Sequence, residues 1–225
     1  AVPMAPAQDY KRIGDGDEGP NTGGMGSYSP VPGIGPEHAE ALAKVVHQPV
    51  VDEMRRRGTP YHGVLYAGLM MTSDGPKVLE YNCRFGDPET QAILPRLRSD
   101  LLEALEAAVR PGGLAGFELE WSPDPAVTVV LASRGYPATS SSGDRITGID
   151  EAAAAPDVEV LHAGTSEDGA GNFVTAGGRV LDVTAVGPTL AEARDRAYAA
   201  ADRIEFAGRQ LRRDVAAEPA ARVSA

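Results

Sequence analysis

Glu80 and Asn82 stand two residues apart in Lys77-Val78-Leu79-Glu80-Tyr81-Asn82, a stretch whose residue types predict a strand. Side chains alternate along a strand, so Val78, Glu80 and Asn82 are expected on one face and Leu79, Tyr81 and Cys83 on the other. Two residues span about 6.5 Å of rise. A carboxylate and an amide oxygen at that spacing can converge on one hard cation that keeps water or phosphate as its remaining ligands. Magnesium with a nucleotide fits that donor set best. Arg84 follows at the strand exit, where a guanidinium can hold a phosphate or carboxylate bidentately. Gly86 permits a sharp turn, and Asp87-Pro88-Glu89 then reads as a helix start with Asp87 at the N-cap and Pro88 at the first helical position. Taken singly, each of these residues is ordinary for a polar strand face or a capped helix; four polar groups at one corner point to chemistry. Cys83 reads as a small buried apolar side chain.

The elements that must position this corner can be read from the surrounding chain. From Gly14 to Pro36 glycine and proline recur too often for a helix or a central strand. The core of that stretch, Asn21-Thr22-Gly23-Gly24, suggests a functional loop in which glycine N–H groups form an anion nest, with Asn21 and Thr22 as side-chain donors. Residues 36–57 predict a helix bent near Pro49 and stopped by Gly58. Residues 63–72 predict a buried strand, turned at Ser73-Asp74-Gly75-Pro76 into the strand that carries Glu80. A helix begins at Pro88, Pro95 interrupts it, and Ser99 is positioned to cap a second segment over 100–109 with Leu101, Leu102, Leu105 and Val109 as its apolar stripe.

Pro111-Gly112-Gly113 and Ser122-Pro123-Asp124-Pro125 bracket a change of composition that reads as a domain boundary. Beyond it, 126–132, 158–162, 173–175 and 179–186 predict strands. Thr189-Leu190-Ala191-Glu192 is a capping box, and Leu190, Ala193, Ala197, Ala201 and Ile204 line one face of the helix it opens. The tail after Asp214 shows no periodicity and is expected to fray.

A net charge of -11, with no basic cluster beyond Arg55-Arg56-Arg57, argues against a nucleic-acid partner. The single cysteine excludes an internal disulfide and suits a reducing compartment. There is no apolar run of membrane-spanning length and no signal peptide, so a cytoplasmic location is expected. His38, His47, His62 and His162 lack ligand spacing, and no zinc site or Ser-His-Asp arrangement can be assembled. The chain opens without methionine and runs at once into Asp9-Tyr10-Lys11-Arg12, which reads as the continuation of something longer.

With these residues assembled, the chain resembles the C-terminal half of the phosphoribosylamine–glycine ligase family of ATP-grasp enzymes. The resemblance is carried by 8–12, by Gly19-Pro20-Asn21-Thr22-Gly23-Gly24-Met25-Gly26, by 65–70 and above all by Glu80-Tyr81-Asn82-Cys83-Arg84-Phe85-Gly86-Asp87-Pro88-Glu89-Thr90. Weaker matches continue at Gly135-Tyr136-Pro137, Gly143-Asp144, 162–165 and Gly177-Gly178-Arg179-Val180-Leu181, so nearly the whole chain up to Asp214 is covered. It implies an α+β fold: the C-terminal part of an ATP-grasp domain over 1–112, then a small β-rich domain with one long helix over 123–215, and a frayed tail over 216–225.

It also implies an ATP-dependent ligation of glycine to 5-phosphoribosylamine through a glycyl phosphate, in purine biosynthesis. Glu80 and Asn82 would hold Mg²⁺ (or Mn²⁺), and Arg84 and Asp87 would be catalytic, with Asp87 receiving an amine. Lys11, Arg12, Asn21, Thr22, Gly23 and Gly24 would bind substrate or phosphate. Implied partners are ATP, glycine, phosphoribosylamine and an N-terminal half of the same enzyme, in a monomer, with neither nucleic acid nor membrane. The family's phosphoribosylamine-binding domain and its lysine- and glycine-rich nucleotide-covering segments are absent from this sequence, so the chain alone is expected to be inactive. Ala138-Thr139-Ser140-Ser141 also departs from the more glycine-rich and basic turn usual there. The competing expectation is a noncatalytic binding or assembly module built on the same scaffold.

Overall fold

The structure, a computed structural model, describes residues 1–223. Its strands in chain order are β1 (Gln8–Asp9), β2 (Arg12–Gly14), β3 (Glu18–Asn21), β4 (Gly26–Ser29), β5 (Tyr66–Thr72), β6 (Gly75–Asn82), β7 (Ala126–Ala132), β8 (Val158–His162), β9 (Thr165–Glu167), β10 (Phe173–Thr175) and β11 (Arg179–Val186). Its α-helices are α1 (Pro36–Leu42), α2 (Gln48–Arg56), α3 (Glu89–Ile93), α4 (Leu101–Val109), α5 (Ile149–Ala153), α6 (Leu190–Ala201) and α7 (Ala217–Val223). The α+β class agrees with the expectation, and the chain divides into two compact units. The first comprises Ala1–Pro6, Val31–Gly86 and Leu97–Ser122; the second comprises Ala7–Pro30, Asp87–Arg96 and Pro123–Ala225. These units interleave along the chain, whereas the sequence suggested one boundary between 112 and 123.

The second unit is built on a five-stranded antiparallel sheet, ordered β1-β4-β7-β11-β8. Val127, Val129 and Leu131 of β7 and Leu181 and Val183 of β11 are buried in the core, because β-branched and aliphatic side chains fill a pleated surface well. Thr128 and Thr184 face each other across these strands, and their buried hydroxyls pair at 2.8 Å. Helix α6 opens as its capping box requires, Thr189 Oγ1 accepting from the Glu192 N–H at 3.2 Å. Leu190, Ala193, Ala197 and Ala201 are buried, as their spacing predicts; Ile204 is buried as well, but beyond the helix, which ends at Ala201 and not where the expected face did.

Three expectations are corrected in this unit. Gly26–Ser29 is an interior strand of the sheet although it has no β-branched residue. Its small side chains serve close approach: Gly26 has φ +151°, and a Cβ there would lie 2.6 Å from the Thr128 carbonyl oxygen. Residues 217–223 form a helix, so the tail is not frayed there; Val215, Ala216 and Ala220 are buried in the core cluster, and burial supplies what periodicity did not. Residues 224–225 lie outside the described residues. The third concerns Asp87, whose carboxylate does not cap α3; the N-cap residue is Pro88.

The first unit has little core. Ala43 and Val46 are its buried apolar residues among those described. The long helix runs on in right-handed helical geometry through both junctions, with one wide π turn (Ala43–His47) between α1 and α2 and Pro49 in the first turn of α2. Asp100, not Ser99, caps α4, accepting from the Leu102 N–H at 2.7 Å, while the Ser99 hydroxyl accepts from the Glu120 N–H. Leu102 and Val109 of the expected stripe are exposed. β5 and β6 form an antiparallel hairpin closed where the turn was expected. β5 is not the buried strand expected, since Met70 and Met71 are exposed.

Candidate active site

Within the first unit, the β5–β6 register pairs Tyr66 with Asn82 and Gly68 with Glu80, then skips Leu79 so that Leu69 meets Val78. Leu79 is therefore a bulge residue, and strict alternation holds only beyond it. That corrects the face assigned to Val78 but keeps Glu80 and Asn82 on one side. Tyr81 turns to the other side, where its hydroxyl donates to the Val46 carbonyl at 2.9 Å. Gly68 clears the space beside Glu80: a Cβ there would stand 3.2 Å from Glu80 Cγ and 3.7 Å from the Tyr66 hydroxyl.

Glu80 and Asn82 thus offer a carboxylate and an amide oxygen on the open side of a hairpin, a donor set that fits a hard divalent cation. Among the described residues no cluster of three His, Cys, Asp or Glu could hold a metal. A cation at this pair would take its other ligands from water and phosphate. Arg84 is exposed and donates to the neighbouring Phe85 carbonyl at 2.7 Å. Cys83 is exposed, contrary to the buried position expected, because the strand ends at Asn82.

The second unit assembles the other candidates. β2 and β3 pair Arg12 with Asn21, putting both on an exposed ribbon. The Arg12 guanidinium donates to the Gly19 carbonyl at 2.6 Å. The amides of the following turn are all taken by acceptors within the protein. The Thr22 N–H donates to the Lys11 carbonyl at 2.7 Å, Gly23 N–H to the Tyr136 hydroxyl at 2.8 Å, Gly24 N–H to Thr22 Oγ1 at 2.9 Å and Met25 N–H to the Tyr10 carbonyl at 2.9 Å. With these amides spent internally, the loop is not an open anion nest. Gly24 is required by packing instead: at φ +122°, a Cβ would meet Pro88 Cδ at 2.3 Å and Asp9 Oδ1 at 2.7 Å.

Asp87 sits beside this turn. Both carboxylate oxygens are held by Arg179, at 3.1 Å from Nη1 and 2.7 Å from Nη2, and Gln91 Nε2 donates to Oδ1 at 2.9 Å. The same Gln91 nitrogen donates to Asp182 at 2.8 Å. Burial raises the Asp182 carboxyl to about 6, with the Asp87 charge adding to the rise and Gln91 and Arg179 opposing it. Asp9 is likewise raised to about 6 by burial, although Lys11 Nζ lies 2.6 Å away. The buried Ser27 hydroxyl donates to the Pro88 carbonyl at 2.8 Å, fixing the turn to β4. Arg179, Tyr136, Gln91 and Asp182 escaped sequence reasoning as site residues. The signal for two of them was present, since Tyr136 and Arg179 lie in the weaker motifs of the family resemblance.

These two groupings can be set beside known proteins. Residues 1–90 match the family model for the phosphoribosylglycinamide synthetase ATP-grasp (A) domain, and residues 126–218 match that for its C domain. The class is therefore an ATP-grasp protein, and the relatives narrow it further. The chain is 58% identical over 221 residues to phosphoribosylamine–glycine ligase of Streptomyces coelicolor, covering 97% of this chain and 53% of that protein. It is 50% identical over 211 residues to the Vigna unguiculata protein of the same name, covering 92% of this chain and 68% of that one. The crystal structure of phosphoribosylamine–glycine ligase from Thermotoga maritima superposes with a TM-score of 0.79 at 37% identity, over 94% of this chain and 51% of that one. The chain belongs to the phosphoribosylamine–glycine ligase family. It spans about half the length of most of the curated relatives it matches.

Proposed function

We propose that this chain carries the metal-binding half of an ATP-dependent ligase that joins glycine to 5-phosphoribosylamine through a glycyl phosphate. The observation that carries the reading is the Glu80–Asn82 pair, oxygen donors on one side of β6 with Gly68 clearing the space beside them, in a chain of this family. Mg²⁺ or Mn²⁺ held there would neutralise phosphate charge, which is most of what phosphoryl transfer to a carboxylate requires. Arg84, at the end of the same strand, supplies a cation for an acyl phosphate. Lys11, Arg12, Asn21 and Thr22 present an exposed ribbon to substrate, and Gly23 and Gly24 shape the turn beside it. Asp87 receives the amine of the nucleophile.

By sequence segment, 1–112 is the ATP-grasp portion and 123–215 the C-terminal domain, and the compact units draw on both. The partner is the N-terminal half of the same enzyme, in a cytoplasmic monomer. No helix among the described residues is long and apolar enough to cross a membrane. The exposed apolar side chains Met70, Met71, Val78 and Leu79 of the hairpin suit coverage by that half. Residues 1–225 alone leave water with access to any acyl phosphate and so do not turn over.

Glu80→Ala in the complete protein tests the reading. Glycine-dependent ADP release is expected to fall by about a thousandfold or more with melting unchanged, because Glu80 is exposed. Unchanged turnover would sink the ligase reading in favour of a noncatalytic module.

A further inference from the structure

Arg179 touches three chain segments at once. Nη1 donates to the Gly23 carbonyl at 3.3 Å, the Asp87 carbonyl at 3.1 Å and Asp87 Oδ1 at 3.1 Å, and Nη2 donates to Asp87 Oδ2 at 2.7 Å. The Gly23 peptide is held from its other side as well, its N–H donating to the Tyr136 hydroxyl at 2.8 Å. Tyr136 is seated by a glycine next to Arg179, since a Cβ at Gly178 would fall 2.3 Å from its ring. Both neighbouring groups of Gly23 are therefore gripped by residues more than a hundred positions away.

We propose that Arg179 is a positioning residue for the ligase reaction, fixing the Gly23 turn and the Asp87 carboxylate together, with Tyr136 as its counterpart on the other side of Gly23. The proposal rests on the ligase reading and deepens it by naming the substrate it serves. An ion pair through both carboxylate oxygens holds Asp87 as a fixed hydrogen-bond acceptor. Its surroundings hold the carboxylates of Asp9, Glu89 and Asp182 against the cations of Lys11 and Arg179, and Asp87 itself makes the balance more acidic. Such a place disfavours a polyphosphate and favours an amine. Arg179 therefore serves the amine substrate, and Mg-ATP is left to other residues.

The test uses the complete enzyme with Arg179→Gln, Arg179→Lys, Asp87→Asn and the double variant Arg179→Gln/Asp87→Asn. For Arg179→Gln, kcat/KM for the amine substrate is expected to fall on the order of 100-fold, the size that small misplacement of reacting groups produces. KM for Mg-ATP is expected to change by less than about threefold, since uniform binding of the nucleotide is untouched. Lysine should restore part of the loss by returning charge without the fork. The double variant should lose less than the two single losses combined, because part of Arg179's effect runs through Asp87. Hydrogen exchange at the Gly23 amide should accelerate in Arg179→Gln.

Equal losses for Mg-ATP and amine, or strictly additive losses in the double variant, would overturn the assignment. So would a lowered melting temperature with unchanged kinetics and exchange. A wild-type enzyme that releases no ADP with glycine fails the ligase reading itself; an active one with an unaltered Arg179→Gln variant fails the positioning role alone.

Discussion

The Glu80–Asn82 hairpin and the Asp87 turn come from consecutive parts of one motif, yet they stand on very different foundations. β5 and β6 form a two-stranded ribbon in a unit whose buried apolar side chains are Ala43 and Val46, and Leu79 at its bulge is 66% exposed. Such a ribbon is marginal by itself. The Asp87 turn is tied to a five-stranded sheet whose central strand, β7, is buried along its whole length. Residues offered to a cation can sit on an open edge, because ligands supply the missing contacts. Residues that set the placement of others need a stiff support. Loss of function without loss of stability is thus expected on the hairpin, and loss of stability first in the second unit.

The largest expected effect lies where the second unit is most tightly tied. Arg212 is buried, its guanidinium donating to Asp214 at 2.6 and 2.7 Å and to Asp17 at 2.7 Å, and it stacks over the Tyr10 ring. Although burial works against ionisation, Arg212 and the Gly16 N–H bring the Asp214 carboxyl down to about 2. Arg212→Ala empties a fully buried site and strands the partly buried Asp214 carboxylate, and should cost about 3–5 kcal/mol in chemical denaturation. A cost under about 1 kcal/mol would show that this unit is not the stiffer one.

Next comes Gly24→Ala. A side chain at φ +122° carries strain of about 1–3 kcal/mol, and the overlap with Pro88 adds overpacking of similar size. The total should be of the order of 3 kcal/mol. The neighbouring Gly23 has no such φ, and a Cβ there meets only the Arg179 guanidinium at 3.0 Å. Gly23→Ala should therefore perturb substrate kinetics more than the melting temperature. Equal destabilisation by the two would mean that the whole turn is structural.

Asp182→Asn should stabilise, with a definite pH dependence. Burial raises the Asp182 carboxyl from 3.8 to about 6, so its contribution to stability is fully present below the unfolded value and is lost as pH rises through the folded one. Asparagine removes that loss. The gain should be small at pH 4 and grow to no more than about 3 kcal/mol by pH 7.5, read from denaturation midpoints across that range. A pH-independent difference would place the cause in packing.

These contrasts track what the sequence could reveal. Strands 126–132, 158–162, 173–175 and 179–186 and the helix opened by Thr189 were legible because β-branched runs and a capping box are local signals. The shared side of Glu80 and Asn82 was legible for the same reason, two residues apart on one strand. Gly26–Ser29 was not, since what makes it a central strand is the close approach of Thr128 and Val215. Asp87 read as a cap because its partner Arg179 is 92 residues away. The helix over 217–223 was hidden in the same way, its apolar contacts being tertiary.

The smallest effect sharpens the comparison from the hairpin's side. Leu79 is exposed at the bulge, and Met70, Met71 and Val78 are exposed along the same hairpin. Replacing an exposed apolar side chain by a polar one changes stability by no more than about 0.5 kcal/mol. Leu79→Ser in residues 1–225 should therefore melt like the wild type. In the complete protein, where the proposed N-terminal half covers Leu79, the same substitution removes a buried leucine and should cost about 1.5–3 kcal/mol. The difference between the two costs measures how much of the hairpin's support comes from outside this chain. A negligible cost in both would mean that Leu79 stays open and that the Glu80–Asn82 pair is held by the ribbon alone, while a large cost already in residues 1–225 would mean that the hairpin has a core of its own.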